Sequence, residues 1–198
     1  MTRFIDPCNP VTAVASPLGP GWIHEVEFDG WRVQVHKHGD DTRIYSCTGC
    51  DITDRCGDLR DQVVYLPDCV VDAELVFCET DRKPDVQALV RNDPNLCIWC
   101  FDLLELDGAD LRARPLVERK ARLREMLITA DDDRLRYSEE FPDPVKLLDV
   151  VDRMGLAGVV SKRADAPYRS GRQHDWIKVA ARAAADRRER SRRRSERS

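Results

Sequence analysis

The sequence has no long apolar run and no leader-like N-terminus. No stretch of its 198 residues approaches the roughly 18 apolar positions that a membrane-spanning helix needs. The first residues, MTRFIDPCNPV, lack the charged-then-apolar pattern of a secretory signal. We therefore expect a cytoplasmic protein without a membrane partner, built as one globular domain with a tail.

Cysteine is too scarce for a disulfide scaffold, with eight in 198 residues. Two pairs have the CxxC spacing of zinc ligands, Cys47 with Cys50 and Cys97 with Cys100. The second pair lies in LCIWCFDLL, which is typical of a buried strand, where positions three apart face opposite sides and cannot share a metal. The intervening residues 51–96 also exceed the usual ribbon spacing of about 15–20. We expect buried free thiols and no structural zinc.

Charge is distributed unevenly along the chain. Residues 182–198, RAAADRRERSRRRSERS, hold eight arginines and three acidic residues, whereas the rest of the chain holds 24 basic and 33 acidic residues. Arginine-rich tails without aromatic residues are usually disordered and often contact nucleic-acid phosphates. A solvated tail without a dedicated partner is the alternative.

Hydrophobic patterning predicts a mixed fold. Residues 1–21 are rich in Pro and Gly and indicate an extended lead-in, and Asp29-Gly30 predicts a β-hairpin between strands 22–28 and 31–38. Further strands are expected at 42–47, 69–78, 96–104, 134–138, 157–163 and 174–179, and helices at 57–65, 84–91, 115–127 and 144–154. Strands outnumber helices and most links are short, which favours an α+β fold with antiparallel sheets.

Two segments carry more specific signals. Pro115 precedes a helical stripe of Leu116, Lys120, Leu123 and Leu127, which makes this helix the most secure element. In CVVDAELVFC, alternation places Asp72 and Glu74 on one face of an otherwise apolar strand. Two carboxylates there are costly unless they meet a ligand, a metal ion or water.

Four stretches share a charged or aromatic side chain on one face, or at the end, of an apolar strand: HEVEFDGWR, VVDAELV, CFDLLELDG, and AGVVSKR with DWIKVA. In this order they resemble the adenylation domain of ATP-dependent DNA ligases, which belong with RNA ligases and mRNA capping enzymes to the nucleotidyltransferases. The resemblance is closest to the ligase module of bacterial ligase D and its stand-alone relatives. It implies two antiparallel sheets flanked by helices over residues 22–181. DNA ligases of this family normally continue into an OB-fold domain, and we expect none here because the sequence ends about 20 residues after DWIKVA.

The resemblance also implies a chemistry. In that family a lysine attacks the α-phosphate of ATP with the help of Mg²⁺ or Mn²⁺, and the adenylate passes to the 5′-phosphate of a DNA nick. The neighbouring 3′-hydroxyl then displaces AMP and joins the strands. The implied partner is nicked or broken double-stranded DNA, in repair and recombination.

Family roles carry over to six positions. Arg32 would contact the ribose, Glu74 would hold ribose or metal, and Phe101 would stack on adenine. Lys178 would neutralise the α-phosphate. The full set of implied nucleotide-binding residues is Glu25, Arg32, Glu74, Phe101, Lys162 and Lys178.

Three positions depart from the family pattern. Glu27 stands where the family has its nucleophilic lysine, Ala157 where it has a metal-binding glutamate, and Ala180 where it has a second lysine. A carboxylate cannot form the phosphoramidate, and like charges about 4 Å apart cost on the order of 4 kcal/mol at an effective dielectric of about 20. Lys37 would lie far from the hairpin turn and is not expected to substitute. We therefore expect self-adenylation to be lost.

Several functions remain open from the sequence. The domain could bind nucleotide or DNA as a pseudoenzyme, or it could seal only nicks that already carry a 5′-adenylate. RNA ligase or capping activity fits less well, because PLVERK and PYRSGR match the bacterial DNA ligase branch better.

Overall fold

Two sheets form the framework of the protein. The computed structural model describes residues 3–57, 59–77, 95–130, 133–182 and 184. These residues fall into two compact units, the first drawn from Met1–Cys8, Gly30–Ser138 and Asp165–Gly171, and the second from Asn9–Asp29, Glu139–Ala164 and Arg172–Ser198.

The first unit contains a six-stranded sheet. Its strands are β3 (Trp31–His38), β4 (Asp41–Ser46), β5 (Cys69–Phe77), β6 (Leu96–Leu106), β7 (Ala109–Asp110) and β8 (Leu135–Tyr137), with helices α1 (Leu59–Val63) and α2 (Leu116–Ala130). The strand order is β4-β3-β5-β6-β7, and β8 pairs with β6. The β6–β8 pairing is parallel, so this sheet departs from the all-antiparallel expectation at one strand.

The second unit contains a four-stranded sheet. Its strands are β1 (Cys8–Thr12), β2 (Trp22–Glu27), β9 (Gly158–Arg163) and β10 (Gly171–Ala180), in the order β1-β10-β9-β2, with helix α3 (Pro144–Arg153). Strand β9 pairs antiparallel with both β2 and β10. Strand β1 lies inside the predicted lead-in, where the Pro and Gly content hid it.

The predicted hairpin between the second and third strands is wrong. Strand β2 pairs with β9, whereas β3 pairs with β4 and β5, so β2 and β3 belong to different sheets. Gly30 is required for another reason, since a Cβ there would lie 2.4 Å from the Leu75 carbonyl oxygen. The predicted position of Lys37 relative to the hairpin turn therefore no longer applies, because β2 and β3 do not form a hairpin. Its ammonium instead donates to the Gly39 carbonyl in the first unit.

The helix predictions rest on local signals and are confirmed where they can be compared. Helix α2 buries the four stripe residues, Leu116, Lys120, Leu123 and Leu127. Helix α3 begins after Asp143, whose carboxylate accepts from the Val145 amide at 3.0 Å. The expected helix at 84–91 and almost all of the tail lie outside the described residues. Among the helices described, none has the length and apolarity to cross a bilayer.

Strand β6 has an irregularity at Phe101, one of the predicted site residues. Asp72 pairs with Asp102 and Ala73 with Cys100, which leaves Phe101 as an extra residue. Such β-bulges re-aim a side chain and are frequent beside functional sites. Simple alternation along the strand could not predict where Phe101 points.

Candidate functional site

Arg32 is the centre of a polar network in the first unit. It donates from Nε to Asp72 Oδ1 at 3.0 Å and from Nη2 to Asp72 Oδ2 at 2.6 Å, a bidentate pair on a fully buried carboxylate. Its Nη1 donates to the Cys8 carbonyl at 2.6 Å. The Tyr168 hydroxyl donates to Asp72 Oδ2 at 2.6 Å. The geometry therefore fixes the guanidinium on strand β3.

The electrostatics of this network keep it in one protonation state. Burial disfavours the charged form of Arg32, but attraction and hydrogen bonding to Asp72 prevail and raise its pKa. Burial, followed by repulsion from Asp72, raises the pKa of Tyr168, so its hydroxyl remains a neutral donor. Arg32 therefore stays charged beside Asp72.

Two more predicted residues lie against this network. The guanidinium carbon of Arg32 is 5.4 Å from the centroid of the Phe101 ring, which the β-bulge turns toward it. Glu74 pairs with Arg32 across strands β5 and β3, and its Oε1 accepts from the Gly30 amide at 2.5 Å. The first unit therefore brings together Arg32, Glu74 and Phe101, three of the residues predicted to bind nucleotide.

A buried ion pair ties strand β6, which carries Phe101, to helix α2. Asp102 accepts from Arg119 Nε at 2.7 Å and from Nη2 at 2.8 Å, with both side chains fully buried. Arg119 Nη1 donates to the carbonyls of Arg114 and Ala166. Sequence reasoning missed Arg119 and Tyr168 as functional supports, although both lie in the matched stretches PLVERK and PYRSGR.

Four charged residues of the second unit lie on one face of the β2-β9-β10 sheet. Cross-strand register defines three adjacent rows on this face: Ile23, Lys162 and Trp176; Glu25, Val160 and Lys178; and Glu27, Gly158 and Ala180. Side chains alternate along each strand, so residues two apart share a face. Four sequence-predicted residues, Glu25, Glu27, Lys162 and Lys178, are therefore neighbours.

Lys162 forms a buried ion pair with Glu25. Its ammonium donates to Glu25 Oε2 at 2.8 Å, and the two side chains are only 3% and 2% exposed. The ammonium also lies 4.3 Å from the centroid of the Trp176 ring. This cation is bound from two sides.

Glu27 pairs with Lys178, the second lysine on this face of the sheet. Its Oε1 accepts from the Lys178 ammonium, and the side chains are 12% and 23% exposed, respectively. Within the part of the chain that the structure describes, its other oxygen, Oε2, has no hydrogen-bond partner. Glu27 therefore neutralises the charge of Lys178.

The three departures from the family pattern converge at one end of this sheet. The Ala157 amide donates to the Glu27 carbonyl at 3.1 Å, and the Ala157 carbonyl accepts from the Ala181 amide at 2.9 Å. Ala180 lies in the same row as Glu27, with Gly158 between them. A Cβ on Gly158 would come within 2.2 Å of the Val179 carbonyl, so only glycine fits there.

The second unit fits a triphosphate and its metal ion poorly. Two lysines on the site face meet two glutamates, so the face has no excess positive charge for phosphate. In the residues that can be described, no three His, Cys, Asp or Glu side chains are placed to share a metal ion. The first unit retains groups that suit a nucleoside, namely an aromatic ring, a fixed guanidinium and a carboxylate.

Comparison with known proteins identifies the family. The profile of the ATP dependent DNA ligase domain matches residues 5–180, so the chain belongs to this family. The multifunctional non-homologous end joining protein LigD of Pseudomonas aeruginosa is 35% identical over 174 residues, which cover 84% of this chain and 21% of LigD. DNA ligase B of Mycobacterium tuberculosis is 34% identical over 176 residues, 79% of this chain and 34% of that protein.

Solved structures agree with this assignment. A mycobacterial DNA ligase D complexed with ATP and MES has a TM-score of 0.73 at 27% identity, over 88% of this chain and 59% of that one. The ligase domain of M. tuberculosis LigD gives a TM-score of 0.72, also at 27% identity, over 87% and 58% of the two chains. The expected nucleotidyltransferase fold is confirmed. The chain spans only about a fifth to a third of the length of the two curated relatives above.

Proposed function

We propose that this domain is a DNA ligase-type nucleotidyltransferase that has lost self-adenylation and acts on DNA breaks as a binding module. The observation that carries the proposal is Glu27, which occupies the nucleophile position and binds Lys178. Repair and recombination of DNA in the cytoplasm is the corresponding setting.

The chemistry supports the loss of the first step. A neutral lysine amine forms a phosphoramidate with the α-phosphate, whereas a carboxylate would give an acyl-phosphate anhydride that water cleaves readily. Glu27 also adds negative charge where the family has an amine. Phosphoryl transfer depends on positive charge around the transferred group, and Glu27 neutralises the nearest lysine.

The two alanines act in the same direction. Ala157 replaces a glutamate that holds a metal ion in the family, and Ala180 replaces a lysine that contacts phosphate. Both are joined to Glu27 through the backbone and register of one sheet end. A metal ion and a second cation would each neutralise charge in the transition state, so their loss compounds that of the nucleophile.

Intact-protein mass spectrometry tests the proposal. The full chain is incubated with ATP and Mg²⁺ or Mn²⁺, beside an active ATP-dependent DNA ligase as the positive control. We expect no AMP adduct on this protein. An adduct that survives neutral hydroxylamine would contradict the proposal, because it would place AMP on an amine, and a hydroxylamine-sensitive adduct absent from Glu27→Gln would place it on Glu27.

Sealing of pre-adenylated nicks is the second candidate function. It needs no lysine nucleophile, and the first unit keeps Arg32, Glu74 and Phe101 in one network. A nicked duplex carrying a 5′-adenylate, with Mg²⁺ and no ATP, tests this activity. Strand joining that Arg32→Ala abolishes would support it, and absence of joining would leave DNA binding alone.

Binding to DNA is tested separately from chemistry. We propose that the arginines of residues 182–198 contact phosphates without sequence preference. Fluorescence anisotropy with a nicked duplex should show tighter binding by the full chain than by residues 1–181, and a steeper salt dependence. Equal affinities and equal salt slopes would exclude a role for the tail.

A further inference from the structure

The two CxxC motifs share a spacing but differ in their surroundings. Cys97 and Cys100 lie in a regular part of β6 and are buried. Three steps along a strand separate their Cα atoms by about 10 Å and turn their side chains to opposite faces. These two thiols cannot form a disulfide with each other without unfolding the strand.

Cys47 and Cys50 lie in a tight hairpin loop instead. The Gly49 amide donates to the Ser46 carbonyl at 2.9 Å, and the Ser46 amide donates to the Cys50 carbonyl at 2.8 Å. Gly49 takes a positive φ of 81°, which closes the three-residue loop. Both cysteines are exposed, contrary to the expectation of buried thiols.

This loop places Cys47 and Cys50 on the two sides of one tight turn. The Gly49 amide closes the turn on the Ser46 carbonyl, so the chain folds back between the two cysteines, whereas a disulfide needs a Cα separation of about 4.4–6.8 Å. The Thr48 hydroxyl donates to Cys50 Sγ at 3.7 Å. Both thiols are open to solvent, so a small disulfide can reach them.

We propose that Cys47 and Cys50 form a dithiol modification site for low-molecular-weight disulfides of the glutathione type. The thiolate of one cysteine attacks the small disulfide, forms a mixed disulfide and releases one small thiol. The second cysteine then displaces the other small thiol and closes the protein disulfide. The protein dithiol loses two protons and two electrons, and the small disulfide takes them up as two thiols.

The remaining described cysteines make the site selective. Cys8, Cys56, Cys69, Cys97 and Cys100 are all buried. Burial raises the pKa of Cys56 and of Cys69 to about 12, so their thiols stay protonated at neutral pH. Cys78 lies outside the described residues. The proposal is independent of any ligase-type activity.

Thiol mapping under native conditions tests the site. The full chain is incubated with glutathione disulfide, quenched with an alkylating agent, digested and analysed by mass spectrometry. We expect the peptide containing residues 47–50 to lose two hydrogens, with Cys97 and Cys100 still alkylatable after denaturation. Cys47→Ser should instead retain one glutathione on Cys50, while Cys97→Ser should oxidise as the wild type does.

The possible results of thiol mapping either support or overturn the proposal. A disulfide between Cys47 and Cys50, together with a persistent adduct in Cys47→Ser, supports the proposal. Persistent glutathione on both wild-type thiols, no reaction at either, or first oxidation of a buried cysteine would overturn it. Circular dichroism of each variant shows whether the fold is retained, and a free peptide of residues 45–51 shows whether the folded hairpin accelerates closure.

Discussion

The two units of the molecule hold different parts of the proposed site. The first unit holds Arg32, Glu74 and Phe101 in one polar network. The three positions at which we propose a loss of chemistry, Glu27, Ala157 and Ala180, fall in the second unit. On the proposed function, the nucleoside-facing groups are retained, whereas the nucleophile and part of the phosphate chemistry are replaced.

The difference follows from what each residue contributes to folding. Arg32 and Asp72 are tied to Tyr168 and to the Cys8 backbone, so replacing either would leave buried charge unpaired. The Glu27 side chain is partly exposed, and it pairs with Lys178 at the edge of the buried region. Positions that serve only catalysis can change at little cost to the fold, and positions that serve both cannot.

The largest expected effect lies in the framework of the first unit. Arg119→Met leaves the Asp102 carboxylate buried without its guanidinium, so the free energy of unfolding should fall by about 3–5 kcal/mol. The matched control is Arg112→Met, whose pair with Asp110 is 43% and 55% exposed and should contribute about 0–1 kcal/mol. Urea denaturation measures both. Equal losses would show that burial does not distinguish the two pairs.

Glu25 and Glu27, on the sheet of the second unit, should differ in their contributions to stability in the same way. Glu25→Gln leaves the Lys162 ammonium buried and should lower the free energy of unfolding by about 3 kcal/mol. Glu27→Gln removes a partly exposed pair and should lower it by about 1 kcal/mol. If Glu27→Gln proves the more damaging in thermal or urea unfolding, the idea that Glu27 is dispensable for folding is wrong.

Removal of the Glu27 charge should strengthen anion binding. In Glu27→Gln, Lys178 loses its carboxylate partner and can meet a phosphate, so affinity for ATP should rise about tenfold, or about 1.4 kcal/mol. Isothermal titration at low salt measures the change. Glu125→Gln, on the exposed surface of α2, changes net charge equally and should leave affinity unchanged. A similar gain in both variants would indicate a non-local charge effect.

The smallest effect concerns a buried histidine of the second unit. His24 is buried, and its Nδ1 lies 2.8 Å from Ser161 Oγ. Burial lowers the pKa of His24 below its ordinary 6.5, partly opposed by Asp143. The unfolded chain therefore binds the proton first, and stability should fall as pH drops through 6.5 toward the folded-state pKa.

Thermal unfolding between pH 7.5 and 5.5 measures this dependence. Over this range the free energy of unfolding of the wild type should fall by on the order of 1 kcal/mol. His24→Gln should not show this decrease. His174→Gln, at an exposed position of β10, is the matched control and should behave as the wild type does. An unchanged slope in His24→Gln would assign the pH dependence to other groups.

Local signals in the sequence predicted much of the fold, and long-range pairing limited the rest. Helix α2 followed from a stripe of side chains within one segment. The hairpin failed because the partners of β2 and β3 lie far along the chain, in β9 and β5. The resemblance assigned Glu27, Ala157 and Ala180 to one site, but local patterning could not, because their proximity depends on the register of three strands.

Spacing alone also failed to separate the two CxxC motifs. Both have two residues between the cysteines, but Cys97 and Cys100 lie in a strand and Cys47 and Cys50 around a turn. Likewise, Phe101 is aimed by a β-bulge that alternation does not reveal. In each case the sequence identified the residue type, and the backbone geometry decided what it could contact.

The central claim is that three substitutions in the second unit removed self-adenylation from an otherwise intact scaffold. Restoration of the family residues by Glu27→Lys, Ala157→Glu and Ala180→Lys tests it most directly, with ATP, Mg²⁺ and intact-protein mass spectrometry. A matched variant with Glu27→Arg restores the charge without an amine that can be adenylated. We predict an AMP adduct on the lysine variant alone. A folded lysine variant that takes up no AMP, or a wild-type protein that does, would contradict the account.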